Sequence, residues 1–201
     1  CPRPQKNKKG NYLFNIKNKP AAIVSFVEGK DKTELNIKNC YDIGKNVARL
    51  HNASKKIKLY RKNSMSLVSW PKILNKIGNK CKLIDPNLKE IMKTNLKDIK
   101  NKWPAKLSGG IIHGDLFIDN IFFKNNKFHG YIDFYFASND FFMYEIAICI
   151  NALCFDKKNR KFIFNKRKSK NLIRGYASLR KLSKKDRQSL NVLCRGAALR
   201  Y

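Results

Sequence analysis

Residues 112–123 read Ile-His-Gly-Asp-Leu-Phe-Ile-Asp-Asn-Ile-Phe-Phe, and residues 131–134 read Tyr-Ile-Asp-Phe. Asp115 is followed five residues later by Asn120, and Asp133 lies thirteen residues beyond Asn120. Apolar residues on both sides of a central Asn-Asn pair predict a β-hairpin, which returns Asp133 towards Asn120 across the strand pair. Because the rest of the chain carries mostly helical patterns, this hairpin predicts an α+β fold.

The three polar residues of this stretch suit phosphoryl transfer from ATP to a hydroxyl group, which needs a base for the hydroxyl proton and oxygen ligands for Mg²⁺. We therefore predict Asp115 as the catalytic base and Asn120 and Asp133 as magnesium ligands. Singly, each residue has an ordinary alternative: Asp115 could cap a backbone N–H, Asn120 could satisfy a turn, and Asp133 could pair with a Lys. The set at this spacing favours the catalytic interpretation.

Two further residues of this region are predicted to have supporting roles. His113, directly before the Gly-Asp pair, is expected to orient the loop through hydrogen bonds. Asp140 precedes an almost wholly apolar helix predicted over residues 141–155, and we expect its carboxylate to cap that helix. Asp119 could face solvent or contact a substrate, and the sequence leaves both open.

The formal net charge of +30 raises nucleic-acid binding as an alternative function. Most of the basic residues are Lys, and Lys, Asn and Ile all have AT-rich codons, so base composition accounts for the charge without a specific nucleic-acid partner. Residues 107–156 hold six acidic and only two basic side chains, which gives this window a net charge of −4. A local acidic site in a basic protein is what a hard cation requires.

The patterns outside the hairpin predict two short strands followed by helices. The strands cover 12–16 and 21–27, and the second is apolar enough to predict a buried strand. Helical periodicity or capping signals predict six helices: 33–52, a short one from Trp70, 86–102, 141–155, 158–180 and 184–200.

Six cysteines are scattered without a C-x-x-C pair, which is typical of reduced thiols in a cytoplasmic protein. The most apolar run, residues 141–155, contains Glu145 and Asn151 and is too short to cross a bilayer. We therefore expect a cytoplasmic protein without a membrane partner; its oligomeric state is left open.

The segment from His113 to Phe123 and the segment Ile132-Asp133-Phe134-Tyr135-Phe136-Ala137 resemble the aminoglycoside-phosphotransferase and choline-kinase branch of the protein-kinase-like superfamily. Within this branch the sequence is most similar to the bacterial homoserine kinases. Residues 19–29, 48–51 and 147–151 share that similarity, so it extends over nearly the whole chain.

The resemblance implies a protein-kinase-like fold, Mg²⁺ and ATP as cofactors, and phosphorylation of the hydroxyl of L-homoserine within threonine biosynthesis. It implies the same roles for Asp115, Asn120 and Asp133 as the residues themselves predict. It also implies that residues 21–29 are the last small-lobe strand and the hinge, where the backbone of Ser25, Phe26 and Val27 would hold the adenine.

One difference from the family concerns the start of the chain. Such kinases begin with strands that bear a phosphate-covering loop, a Lys and a paired helix Glu, for which residues 1–20 are too few. We therefore expect a fragment: residues 1–29 as the remnant of an N-terminal lobe with a truncated sheet, and residues 30–201 as the helical C-terminal lobe with the catalytic hairpin. Kinases of choline, aminoglycosides or methylthioribose, an inactive pseudokinase, and the nucleic-acid binder remain alternatives.

Overall fold

The computed structural model describes residues 1–200. By their contacts the residues form two compact units, one made of 1–34 and 118–133 and the other of 35–117 and 134 onward. The predicted hairpin therefore groups with the first residues of the chain. The predicted lobe boundary after Gly29 stays a prediction.

The smaller unit consists of three antiparallel strand pairs. β1 (Pro4–Gln5) pairs with β4 (Ile23–Val24), β2 (Phe14–Ile16) with β3 (Lys19–Ala21), and β6 (Ile121–Lys124) with β7 (Lys127–Tyr131). The segment after Val24 is hydrogen-bonded to the hairpin. The Lys30 amide donates to the Phe123 carbonyl at 3.1 Å, and the Phe123 amide donates to the Lys30 carbonyl at 2.8 Å.

The β6–β7 turn has a backbone conformation that explains its sequence. Asn125 and Asn126 have φ of 50° and 59°, which is the left-handed region. Two successive positive φ angles fit the two-residue turns that match strand twist, and Asn tolerates this region better than most side chains. The predicted hairpin and its turn are confirmed.

The larger unit contains every helix of the described chain and two further strand pairs. The helices are α1 (Ile37–Ser54), α2 (Trp70–Ile77), α3 (Leu88–Lys102), α4 (Phe142–Leu153), α5 (Lys166–Ala177) and α6 (Lys184–Arg200). The strand pairs are β5 (Gly109–Ile112) with β8 (Ser138–Phe141), and β9 (Phe155–Lys158) with β10 (Lys161–Phe164).

The core of the larger unit is built around α4, in which ten of twelve residues are buried. The helix α1 contributes Cys40, Ile43 and Val47 from one face, as its apolar spacing predicted. α1 also lies directly against α5, where both helices carry a glycine at the point of closest approach. A Cβ on Gly44 would lie 2.0 Å from the Leu172 carbonyl oxygen, and one on Gly175 would lie 2.0 Å from that of Tyr41.

Two expectations about secondary structure were wrong. Residues 155–164 form the β9–β10 hairpin instead of entering a helix, and α5 begins only at Lys166. The run at 21–27 is not a buried strand, because Ile23 and Val24 form a two-residue strand with 57% and 50% exposure. Ser183 and Asp186 form a capping box at the start of α6, since each residue's side chain accepts the other's amide N–H. Within residues 1–200, no helix is both long and apolar enough to cross a membrane.

Candidate active site

Asp115 lies in the larger unit, three residues after β5 ends at the fully buried Ile112. Gly114, directly before it, has a φ of 78°, and a Cβ there would lie 2.8 Å from the Phe136 carbonyl oxygen. The loop turns back on itself, because the Phe117 amide donates to the Asp115 carbonyl at 2.9 Å. Only glycine fits position 114 without strain or displacement of the neighbouring backbone.

The carboxylate of Glu145, which lies within the buried helix α4, fixes the loop that presents Asp115. Its Oε2 accepts the His113 amide at 2.5 Å, and its Oε1 accepts the Gly114 amide at 3.0 Å. The side chain is fully buried. Hydrogen bonds from two successive amides to one carboxylate hold the loop backbone in place next to Asp115.

A buried histidine completes this support. The Nε2 atom of His51, on α1, lies 3.8 Å from Glu145 Oε2, and its Nδ1 lies 2.9 Å from the Tyr176 hydroxyl on α5. Burial lowers the pKa of His51, which keeps the ring neutral. Burial opposes ionisation of Glu145, but the nearby rings of His51 and His113 outweigh it and hold the Glu145 pKa below its usual range.

His113 is fully buried, and its ring packs against Phe134 with centroids 4.5 Å apart. The contact that fixes the loop is made by the His113 backbone amide, which donates to the Glu145 carboxylate. Loop orientation by the His113 side chain stays a prediction.

The predicted magnesium ligands lie in the smaller unit, at the open end of the β6–β7 hairpin. Ile121 pairs with Tyr131, and the Ile132 amide donates to the Asn120 carbonyl at 3.1 Å, so Asn120 and Asp133 flank the same end of the ladder. Asp133 has a φ of 57°, an uncommon conformation for a non-glycine residue. Among the described residues no group of three or more His, Cys, Asp or Glu could hold a metal ion. Metal binding by Asn120 and Asp133 stays a prediction.

The predicted hinge residues also lie in the smaller unit. The Ser25 amide donates to the Arg3 carbonyl at 2.8 Å, and the Ser25 hydroxyl accepts the Arg3 amide at 2.9 Å. Phe26 is 85% exposed, and the Val27 side chain lies against Gly130. The adenine contact predicted for the backbone of Ser25, Phe26 and Val27 stays a prediction.

The prediction that Asp140 caps the buried helix was wrong. α4 begins after Phe141 and has no side-chain cap, and Asp140 lies within β8. Its Oδ2 accepts the Asn63 side-chain amide at 2.6 Å and its Oδ1 accepts the Phe141 amide at 2.7 Å. The β8 strand ends where a helix cap would have to begin, so the carboxylate serves the strand and Asn63 instead.

Sequence reasoning missed the part played by Glu145 and His51. The available signal was the acidic residue inside an apolar helical run, since a buried carboxylate needs hydrogen-bond partners. The partners themselves come from the loop after β5 and from α1, and they could not be read from sequence spacing.

Residues 2–181 match the family model described as "Phosphotransferase enzyme family". The homoserine kinases of Nitrobacter winogradskyi and Brucella anthropi are 38% and 37% identical to the chain over 201 residues. These matches cover 100% of this chain and 61% of either relative.

Solved structures show the same fold at much lower sequence identity. Amicoumacin kinase hAmiN, in complex with AMP-PNP, Ca²⁺ and Ami, matches with a TM-score of 0.71 and 15% identity, over 99% of this chain and 61% of that one. Choline kinase from Cryptosporidium parvum matches with a TM-score of 0.64 and 17% identity, over 90% of this chain and 63% of that one. The fold is therefore α+β and protein-kinase-like, and the chain belongs to the phosphotransferase enzyme family.

Proposed function

We propose that this chain is part of a kinase that transfers a phosphoryl group from ATP to the side-chain hydroxyl of L-homoserine, forming O-phospho-L-homoserine for threonine biosynthesis. The observation that carries the proposal is the Asp115 loop, whose backbone is held by Glu145 directly before the proposed base. Identity of 37–38% to homoserine kinases over the whole chain supports this choice of acceptor. A cytoplasmic location belongs to the same proposal.

Asp115 is the proposed catalytic base. Phosphoryl transfer depends mainly on positioning and charge, so one carboxylate that orients the acceptor hydroxyl and accepts its proton is enough. Because the loop backbone is fixed, the Asp115 side chain extends from a defined position. This lowers the free-energy cost of placing its carboxylate in the reactive geometry.

Asn120 and Asp133 are the proposed magnesium ligands, and the residues present fit that ion. Both offer hard oxygen atoms at one end of the hairpin, and Mg²⁺ commonly binds one or two protein oxygens while phosphate and water oxygens fill the remaining positions. When bound, Mg²⁺ would offset the negative charge of the ATP phosphates. The backbone of Ser25, Phe26 and Val27 is proposed to contact the adenine.

The proposal is tested by measuring ADP release with Mg-ATP and a panel of acceptors: L-homoserine, choline, an aminoglycoside and methylthioribose. Because the chain spans about 61% of its relatives' length, the assay should include a chimera in which the N. winogradskyi homoserine kinase supplies the regions that the chain does not span. Turnover confined to L-homoserine is expected. A folded chimera that phosphorylates another acceptor and not homoserine would reject the substrate assignment, and nucleotide binding without turnover on any acceptor would indicate a pseudokinase.

Replacing the proposed base gives the first prediction. Asp115→Asn in the active chimera should lower kcat by roughly 10²- to 10⁴-fold, because the amide cannot accept the hydroxyl proton. Asp119→Asn, four residues along the same segment, is the matched comparison. Thermal unfolding should be nearly unchanged in the Asp115 variant, and full activity in Asp115→Asn would exclude this residue as the base.

A further inference from the structure

The proposed substrate sets a requirement that neither the catalytic base nor the metal ligands meet. L-Homoserine carries an α-ammonium and an α-carboxylate besides its reacting hydroxyl. A site that selects an amino acid over a plain alcohol needs a carboxylate and a cation near the Asp115 loop. This inference rests on the proposed function, and it concerns two charged residues of the larger unit.

Asp140 is a candidate for the negative member of the pair. Its carboxylate is part-buried on β8 and held by Asn63 and the Phe141 amide, at 2.6 Å and 2.7 Å. These bonds use one acceptor position on each oxygen, and a carboxylate has about four. Burial raises the pKa of Asp140, while the charge of Arg200 opposes that rise. A cationic group placed at the remaining positions would favour the ionised carboxylate.

Arg200, at the end of α6, is the candidate for the positive member. The residue is only 8% exposed, and its guanidinium lies 5.5 Å from the centroid of the Phe136 ring. It lies near enough to Asp140 and to the buried Tyr144 for its charge to affect both groups. Arg is suited to this task, since its planar fork of N–H donors matches a carboxylate in a bidentate pair.

Phe136 connects this pair to the catalytic loop. Its backbone carbonyl is the atom that a side chain at Gly114 would strike, at 2.8 Å, and its ring faces Arg200. Phe136 thus lies against Gly114 through its backbone and against Arg200 through its ring. Asp140 lies four residues after Phe136, on the strand that pairs with β5, with Asp140 opposite Gly110. Arg200 therefore lies one residue away from the Asp115 loop, and Asp140 lies on the strand that follows Phe136.

We infer that Asp140 and Arg200 form a subsite for the zwitterionic end of an α-amino acid, in which Asp140 binds the α-ammonium and Arg200 binds the α-carboxylate. The subsite sets specificity for L-homoserine over alcohols that lack either charge. Tyr144, whose pKa is raised above its usual range by burial, stays a neutral phenol beside the guanidinium.

The test measures equilibrium binding to the chain itself, without nucleotide, by ligand-observed NMR or calorimetry. Three ligands of similar length are compared: L-homoserine, 3-aminopropan-1-ol, which lacks the carboxylate, and 4-hydroxybutanoate, which lacks the ammonium. Arg200→Met should weaken homoserine binding roughly 10- to 100-fold and leave 3-aminopropan-1-ol binding unchanged. Asp140→Asn should weaken homoserine binding by a similar factor and leave 4-hydroxybutanoate binding unchanged.

Matched controls come from another charge pair on α6 and α3. Arg195 donates to Asp98 at 2.5 Å and to Asn95 at 3.0 Å, so Arg195→Met and Asp98→Asn remove comparable charges at a different place. Both controls should bind all three ligands like the original chain. Arg200→Lys keeps the charge without the planar fork and should bind homoserine with intermediate affinity.

The outcomes separate this inference from the proposed function. Unchanged homoserine affinity in folded Arg200→Met and Asp140→Asn overturns the subsite, even if the chimera phosphorylates homoserine. Loss of affinity for all three ligands alike in these two variants also overturns it, since that pattern indicates general disruption. The ligand-specific losses described above would support the subsite even if no phosphoryl transfer were detected, in which case only the proposed function fails.

Discussion

At the scale of single residues, Glu145 shows how a buried charge can be used for positioning. A carboxylate with no water around it is costly unless hydrogen bonds replace the water. Two backbone amides do so here, and the His51 ring lies 3.8 Å from the same carboxylate. The energy that stabilises the charge also fixes the segment that presents Asp115, so fold stability and site geometry depend on one side chain.

Glu145→Gln is predicted to lower both the stability of the fold and the turnover of the site. The amide group keeps one acceptor oxygen but turns an N–H₂ towards a backbone N–H, so one buried donor loses its partner. We expect the free energy of unfolding, measured in urea, to fall by about 3 kcal/mol. Turnover of the active chimera should fall with it, because the Asp115 loop loses an anchor.

Glu90→Gln is the matched control for this prediction. Glu90 pairs with Lys93 on the exposed face of α3, and such surface pairs contribute little. The loss of stability in Glu90→Gln should be much smaller than that in Glu145→Gln. An equal loss in the two variants would show that Glu145 acts only through general charge and not through its amide contacts.

The candidate site residues were partly readable from sequence for a physical reason. Asn120 and Asp133 are joined by a local hairpin, and the Asn-Asn turn between its strands marks the pairing. Glu145 contacts the loop from α4, and His51 lies near Glu145 on α1. Both elements are far from the loop along the chain, and no local pattern encodes these contacts. Asp140 was misassigned because its position before an apolar helix suggests a cap, whereas tertiary pairing with β5 draws it into β8.

At the scale of elements, the packing of α1 against α5 depends on two glycines. At both positions the opposing backbone carbonyl occupies the space of a Cβ, at 2.0 Å. Backbone atoms cannot move aside as a flexible side chain can. The two helices are therefore held at a separation that no other residue pair in these positions permits.

Gly44→Ala should destabilise the protein despite the better helix propensity of Ala. The propensity gain of about 1 kcal/mol is smaller than the cost of forcing the helices apart, so we expect a net loss of about 3 kcal/mol in the free energy of unfolding. Gly175→Ala should give a similar loss, and the double variant should lose less than the sum because one separation relieves both contacts.

Gly10→Ala provides the comparison for these variants. Gly10 has a φ of 81°, and a Cβ there would meet no atom within 4 Å, so only backbone strain opposes the change. A loss of about 1 kcal/mol is expected. If Gly44→Ala lost no more stability than Gly10→Ala, the helices α1 and α5 would have to lie further apart than the structure indicates.

The elements that sequence reasoning placed wrongly have particular causes. The helix predicted over 158–180 included residues 158–164, although Asn159 and Arg160 form a turn with φ of 47° and 63°. Phe155 and Phe164 then pair across the ladder with ring centroids 5.4 Å apart. Apolar composition predicted burial at 21–27, but burial depends on a covering layer, which composition does not reveal.

At the scale of the whole molecule, acid should destabilise the fold through His51. Its folded-state pKa is lowered from 6.5, so the unfolded chain binds the proton more readily. The stabilising contribution is complete above the unfolded pKa and is lost as pH falls towards the folded one. Below about pH 6.5 the free energy of unfolding should drop by up to ~1.4 kcal/mol per pH unit from this group. Glu145, with a lowered pKa, adds acid sensitivity only below its own usual value of 4.5.

Urea titrations between about pH 8 and pH 5 check this prediction. His51→Gln cannot take up the proton, so its stability should vary less with pH than that of the original chain, even if its stability at neutral pH is lower. The difference between the two slopes isolates His51 from the growing repulsion of a chain that already carries +30. Parallel slopes would mean that His51 does not control the acid transition.

The close contact of α1 and α5 has a consequence for hydrogen–deuterium exchange. Two helices that meet backbone to backbone leave no layer of side chains through which one could loosen without the other. Amides in the buried stretch of α1 around Gly44 should therefore exchange only when the entire larger unit opens, and those in α5 around Gly175 should exchange at the same slow rate. The pair would then report the global opening free energy of that unit, independently of any ligand.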